Sequence, residues 1–154
     1  MPQLDPAVPQ SASPPALPKY GPPISLDTAR KIMAAAEAEA SAQGWPMVIA
    51  ILDSTGHLAM LHRLDQANYG AVALAQRKAE AAIKFRRSTK ALEDMLLGGA
   101  PGLRMLSMGA ELIAVEGGLP LVAGGEVIGA IGVSGMYSAQ DGQVAIAGAR
   151  VLEG

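Results

Sequence analysis

The sequence predicts an α+β domain, with a five-stranded antiparallel sheet flanked by helices. Three observations carry this. Short apolar runs follow one another through Gly-rich turns instead of alternating with helices, helical stripes precede, divide and follow those runs, and the composition changes once, near residue 24. The first 23 residues hold eight of the chain's 11 prolines, mixed with Gln, Ser and Ala. Such a segment has too little apolar area to offset its ordering entropy, so residues 1–23 read as a disordered tail or as an arm across a neighbouring subunit. Residues 24–154 then form one domain, because about 130 residues support a single core.

Ser25 is placed to cap a helix, with Asp27 in its first turn, Leu26, Ala29, Met33, Ala36 and Ala40 on one face, and a stop at Gly44. Met47 to Leu52 is an aliphatic run of strand length, Asp53-Ser54-Thr55-Gly56 supplies turn chemistry, and His57 to Arg63 leads back, which makes a hairpin. Between Asn68 and Phe85, Val72, Ala75, Ala79, Ala82 and Ile83 mark a second helix. A shorter one follows, capped by Ser88 or Thr89 and stopped at Gly98-Gly99, and then a flexible connection from Gly98 to Met108. Glu111 to Val115, Leu119 to Ala123 and Val127 to Ser134 read as three further strands, and Ala139 to Leu152 as a closing helix.

Composition narrows the possibilities. Half of the residues are apolar, yet Tyr20, Trp45, Tyr69, Phe85 and Tyr137 are the only aromatics, so small aliphatics must build the core. A core so lean in bulk gains from burying surface against copies of itself, and a homo-oligomer is expected. The absence of Cys excludes disulfides, thiol nucleophiles and thiolate metal sites. A formal charge of −2 argues against a general nucleic-acid binder. No stretch is apolar enough to span a membrane and the N-terminal segment lacks the pattern of a signal peptide, so a cytoplasmic location is expected.

Several stretches together carry a family resemblance: Ile49 to Asp53 with Gly56-His57-Leu58, Arg63-Leu64-Asp65, Lys78-Ala79, Phe85 to Leu92, Glu116-Gly117-Gly118-Leu119-Pro120, and Gly129 to Gly135 with Gln140-Asp141. In this order, from Ile24 to Leu152, the chain resembles the GlcG/HbpS family. The resemblance implies a profilin-like sensor-type fold, assembly into oligomers with an octamer as the type example, and heme or a small organic acid as ligand. It implies a role in heme or iron handling, or one accessory to a catabolic pathway.

The residues able to carry such chemistry are few. His57 and His62 are the only imidazoles and are the candidates for an acid–base role, with His62 also the candidate ligand for heme iron. Met105 and Met108 in the Gly-rich connection, and Met136 after Gly135, are possible soft ligands. Six basic residues (Arg77, Lys78, Lys84, Arg86, Arg87, Lys90) stand against the single acid Glu80 between positions 77 and 90. Arg86, Arg87 and Lys78 are therefore the candidates to hold a carboxylate or propionate, between the sheet and the arginine region. Glu116, Gly117 and Gly118 are candidate ligand-binding residues at a backbone able to approach a ligand closely. Gly129, Gly132 and Gly135 suggest close packing of a strand. An alternative reading makes the chain a cofactor-independent enzyme on a small carboxylic or aromatic acid, with a His base and the arginines as clamp.

Overall fold

The structure, a computed structural model, describes residues 16–154. Of the proline-rich segment expected to be a tail or arm, residues 1–15 therefore lie outside the described residues. The local signals at the start of the domain act as their chemistry predicts. The Ser25 hydroxyl accepts the Thr28 amide, Gly44 closes the helix in the left-handed region at φ 71°, and α1 spans Leu26–Gln43 between them. The strands β2 (Val48–Asp53) and β3 (Leu58–Arg63) form the expected hairpin, with a register shift at Ile51/Leu52. Helices α2 (Gly70–Phe85) and α3 (Thr89–Leu97) follow, and Ser88 caps α3 by accepting the Ala91 amide. The chain ends with β4 (Gly118–Ala123), β5 (Glu126–Ser134), α4 (Ser138–Ala149) and a final 3-10 turn.

Two expectations are corrected. Gly98 to Met108 is not a flexible connection, because Ala100–Met108 winds into a 3-10 helix packed on α3. Glu111 to Val115 is not a strand: β4 starts opposite Gly132, near the end of β5, so residues upstream of it run past the sheet with nothing to pair. Leu112, Ile113 and Ala114 pack instead against Ala81, Leu92 and Met105. The fifth strand is β1 (Lys19–Tyr20), within the segment expected to be a tail, and it pairs parallel to Glu126 and Val127 of β5. The sheet is thus five-stranded and antiparallel except at β1. Since β4 occupies one edge of β5, β1 takes the edge that β2 leaves at Asp53, continuing the line of β2.

Alternation along the strands divides the molecule into layers. Ile49, Ile51, Ile131 and Val133 face α1 and α4, where Ile32, Met33, Ala36 and Val144 complete the main core. Val48, Ala50, Leu52 and Ala130 face α2, which meets them with Ala71, Ala75, Ala79 and Ala82. On this second face the helix lies almost on the backbone. A methyl added to Gly132 would run into the Ala75 carbonyl oxygen, and one on Gly118 into that of Lys78. The expectation that the glycines of β5 serve close packing is met at Gly132.

The N-terminal segment is fixed onto the end of α2. The Tyr20 hydroxyl lies 2.8 Å from the Ile83 carbonyl oxygen and 3.1 Å from that of Lys84, groups that the end of a helix leaves without partners. Arg86, left-handed at φ 51°, donates to the Pro18 carbonyl at 3.0 Å and lies over the Tyr20 ring at 5.0 Å.

Two stability measurements check this packing by urea denaturation. Gly132→Ala is expected to cost about 3 kcal/mol or more, the upper end for overpacking, because the obstacle is backbone on both sides. Tyr20→Phe, which keeps the ring under Arg86 and removes the hydroxyl, is expected to cost about 1 kcal/mol.

Candidate functional site

The residues that the sequence suggested for ligand binding separate into two groups. Lys78, Gly117 and Gly118 belong to a buried structural cluster. Lys78 and Asp141 are 3% and 2% exposed, and Lys78 Nζ donates to Asp141 Oδ2 at 2.8 Å and to the Val133 carbonyl at 3.0 Å. Asp141 Oδ1 accepts the Met136 amide. The pair passes around the edge of β5 beyond the start of β4, and so ties α2 on one face to α4 on the other. Gly117, at φ 131°, lies so close that a side chain there would meet Val133, Lys78 and Asp141. The Gly118 amide donates to the buried hydroxyl of Thr89 at 2.8 Å. In this cluster the charges are paired with each other and the backbone leaves no room for a side chain at Gly117 or Gly118. Loss of water holds the Asp141 carboxyl above its ordinary value despite the bonds from Lys78 and Met136. Glu116 lies at the margin, half-buried against Gly142, and burial pushes its carboxyl up as well.

Arg86 and Arg87 belong to the second group. The end of α2, α3 and the 3-10 helix enclose an open cavity of about 310 Å³, lined by Leu17, Phe85, Leu92, Met95, Met105, Met108 and Leu112, with Lys84, Arg86 and Arg87 at it. No strand contributes to its walls, so the cavity lies outside the helical layer rather than between the sheet and the arginines as expected. Arg87 Nη1 meets Met95 Sδ at 3.5 Å. Lys84 is 3.7 Å from Glu111, an exposed pair that adds little. Three cations around an apolar hollow suit a ligand with an apolar body and an anionic rim.

Neither histidine joins this cavity. His62 stands opposite Ile49 in the hairpin and so points to the face of α1, where its Nδ1 meets the Glu37 carboxylate. Arg86 follows α2 on the other face of the sheet, and no His base faces an Arg clamp. His57 sits in the turn, exposed, with Nδ1 2.7 Å from Thr55 Oγ1, which in turn lies 2.6 Å from Asp53 Oδ1. Asp53 also accepts the amides of Thr55 and His57. Partial burial raises its carboxyl, but these bonds outweigh it and hold the group below its ordinary value. The set is a well-bonded hairpin turn.

The sequence did not reveal Leu17, Phe85, Leu92, Met95 and Leu112 as neighbours of the arginines. Leu92 and Met95 fall on the apolar face of a short helix and Leu17 in the segment read as a tail or arm, and no local pattern tells a buried wall from the lining of a hollow. Among the described residues, no group of His, Asp and Glu could hold a metal ion, and no helix is long and apolar enough to cross a membrane.

A five-stranded sheet flanked by helices, with an apolar, cation-rimmed hollow outside it, defines a small α+β domain. The chain belongs to the HbpS-like family, described as haem degrading protein HbpS-like, whose pattern matches residues 24–150. It is 41% identical over 111 residues to the protein GlcG of Escherichia coli K12, covering 72% of this chain and 81% of that one. Among solved structures, a double mutant of HbpS from Streptomyces reticuli is 30% identical with a TM-score of 0.76, covering 96% of this chain and 99% of its own. A structure described as a PduOC:heme complex is 27% identical with a TM-score of 0.75, covering 82% of this chain and 93% of the other.

Breaking the buried pair on one side is expected to be severe. Lys78→Met strands the Asp141 carboxylate and should cost about 3–5 kcal/mol in urea denaturation, whereas Lys78→Met with Asp141→Leu should recover most of the loss. A double variant no more stable than the single one would show that the charges themselves are needed.

Proposed function

We propose that the protein binds a ligand with an apolar body and a carboxylate rim, heme or a small organic acid, in the cavity at the end of α2. The observation that supports this is the convergence of Lys84, Arg86 and Arg87 on one apolar hollow. The family and the heme complex of PduOC favour heme within that class. The cavity's chemistry fits such a group: Leu17, Phe85, Leu92 and Leu112 offer apolar contact, the cations suit propionates, and thioethers are available to iron. Heme, when bound, would supply a redox-active iron.

This chain's part is to bind and orient. Arg87 is free to turn from a thioether to a carboxylate, a far better acceptor. Arg86 must exchange the Pro18 carbonyl for the ligand, so binding is coupled to the N-terminal segment. His57 and His62, considered from the sequence as catalytic or metal-binding, are left to the turn and to the contact with α1. An accessory role in catabolism or in heme handling, in the cytoplasm, is consistent with this reading.

We also infer that the protein is a homo-oligomer, an octamer by family resemblance. Leu97, Leu103 and Leu106, exposed at 75%, 56% and 69% on and beside the 3-10 helix, offer apolar surface for such a contact.

Titration of the full chain with hemin and with benzoate tests the ligand class. Hemin is expected to give a saturable shift of its Soret band, and Arg87→Ala to weaken that binding about tenfold, the loss of one charge-assisted hydrogen bond. Binding that is indifferent to Arg87 would place the ligand elsewhere and overturn the reading. Sedimentation analysis should find a species several times 15.7 kDa, and a monomer at micromolar concentration would remove the oligomer.

A further inference from the structure

We propose that Leu17 and Pro18 form a strap at the wall of the cavity, latched by Arg86 and released when a carboxylate takes that arginine; the proposal rests on the cavity being the ligand site. The latch is made of the same group that the ligand needs. Arg86 lines the cavity, and its Nη1 donates to the Pro18 carbonyl oxygen at 3.0 Å. Proline has no N–H, so that carbonyl is the only group through which Pro18 can be held by hydrogen bonding. Its neighbour Leu17 is part of the cavity wall. A carboxylate is a stronger acceptor for a guanidinium than an amide carbonyl is, so an anionic ligand that claims Nη1 frees Pro18 and, with it, the Leu17 side of the wall.

The contacts downstream fix where the strap hinges. Lys19 and Tyr20 pair with Glu126 and Val127 of β5, the Gly21 amide donates to the Val127 carbonyl at 2.8 Å, and the Tyr20 hydroxyl donates at the end of α2. None of these hydrogen bonds uses Arg86, so the segment turns at the Pro18–Lys19 junction while β1 stays in the sheet. Other parts of the wall are firm, since Leu92 and Met105 are 3% and 8% exposed and pack with Ala81. Leu17 belongs to neither a helix nor a strand. At about 310 Å³ the cavity stands at the small end of ligand sites, so a larger ligand must displace some of the lining, and Leu17 is the part whose hold the ligand itself cancels. The strap thereby discriminates by charge: an anion opens it, and a neutral molecule of the same shape does not.

The test uses the full chain with benzoate as probe and benzamide, the same ring without the charge, as comparison. Lys19 is the first basic residue of the chain, so tryptic cleavage after it, read by mass, reports opening at the strap. Saturating benzoate is expected to speed that cut about fivefold, the loss of one hydrogen bond, and benzamide to leave it unchanged. Arg86→Gly suits the left-handed backbone that Arg86 adopts, so the variant should fold, and it should be cut at the fast rate with or without benzoate. Pro18→Ala, which loosens the strap before binding, should bind benzoate about threefold more tightly by calorimetry. Benzoate that binds and is weakened by Arg87→Ala, yet leaves the Lys19 cut unchanged or slows it, overturns the strap and leaves the cavity reading standing. So does a slow cut in Arg86→Gly, a faster cut with benzamide, or a Pro18→Ala variant that binds no more tightly. Benzoate binding that is absent or indifferent to Arg87 overturns the cavity reading, and the strap with it.

Discussion

The close approach of α2 to the sheet is the constraint on which the rest of the structure depends. Ala75 and Lys78 bring their carbonyl oxygens down onto Gly132 and Gly118, leaving no space for a single methyl. A helix this near the strands has little room for large side chains on its inner face, and α2 presents alanines there until Ile83 in its last turn. The scarcity of aromatics follows from that geometry. Each alanine buries little area, so stability comes from many short contacts at crystal-like density rather than from a few large ones. Bulk is kept for the opposite face, where Ile32, Met33, Ile49 and Ile131 fill the space under α1 and α4.

The same closeness brings a lysine into the interior. Because α2 lies low over the edge of β5, the Lys78 side chain reaches the end of the sheet and meets Asp141 on the far side. A lone charge there would be intolerable, and the pair with its two backbone partners, the Val133 carbonyl and the Met136 amide, leaves no buried side-chain polar atom without a hydrogen bond among the described residues. Gly117 keeps the backbone out of its way. What looked in the sequence like a cationic ligand site beside a Gly-rich wall is therefore a clamp between the helical layers, and the proposed ligand site rests on the arginines eight and nine residues further on.

Those arginines owe their position to the end of α2. Arg86 turns left-handed and ends the helix, which sends Arg87 and α3 away from the sheet and opens a hollow between α3, the 3-10 helix and the N-terminal segment. The hollow is a product of chain reversal rather than of the core. Its walls are accordingly a mixture of segment ends, with Leu17 from before the domain proper and Leu112 from the irregular stretch before β4. The N-terminal segment takes part because the last carbonyl groups of α2 need donors, and the Tyr20 hydroxyl supplies one.

Sequence by itself determined the helices, the hairpin, the two strands around Gly124-Gly125 and the family, because caps, turns and periodicity are local chemistry. Ser25, Ser88, Gly44 and the alternation in β2 and β5 act where they stand. It also marked Arg86 and Arg87 by charge density. Only the tertiary structure decided that Lys19–Tyr20 rather than Glu111 to Val115 completes the sheet, since both are short and unremarkable in pattern and the choice depends on which edge of β5 is vacant. Likewise it decided that His62 faces Glu37, that Lys78 is spent on Asp141, and that three methionines meet two arginines and a lysine around one hollow. Each of these joins residues distant in sequence, and the energy that selects them lies in desolvation and shape, which no local window contains.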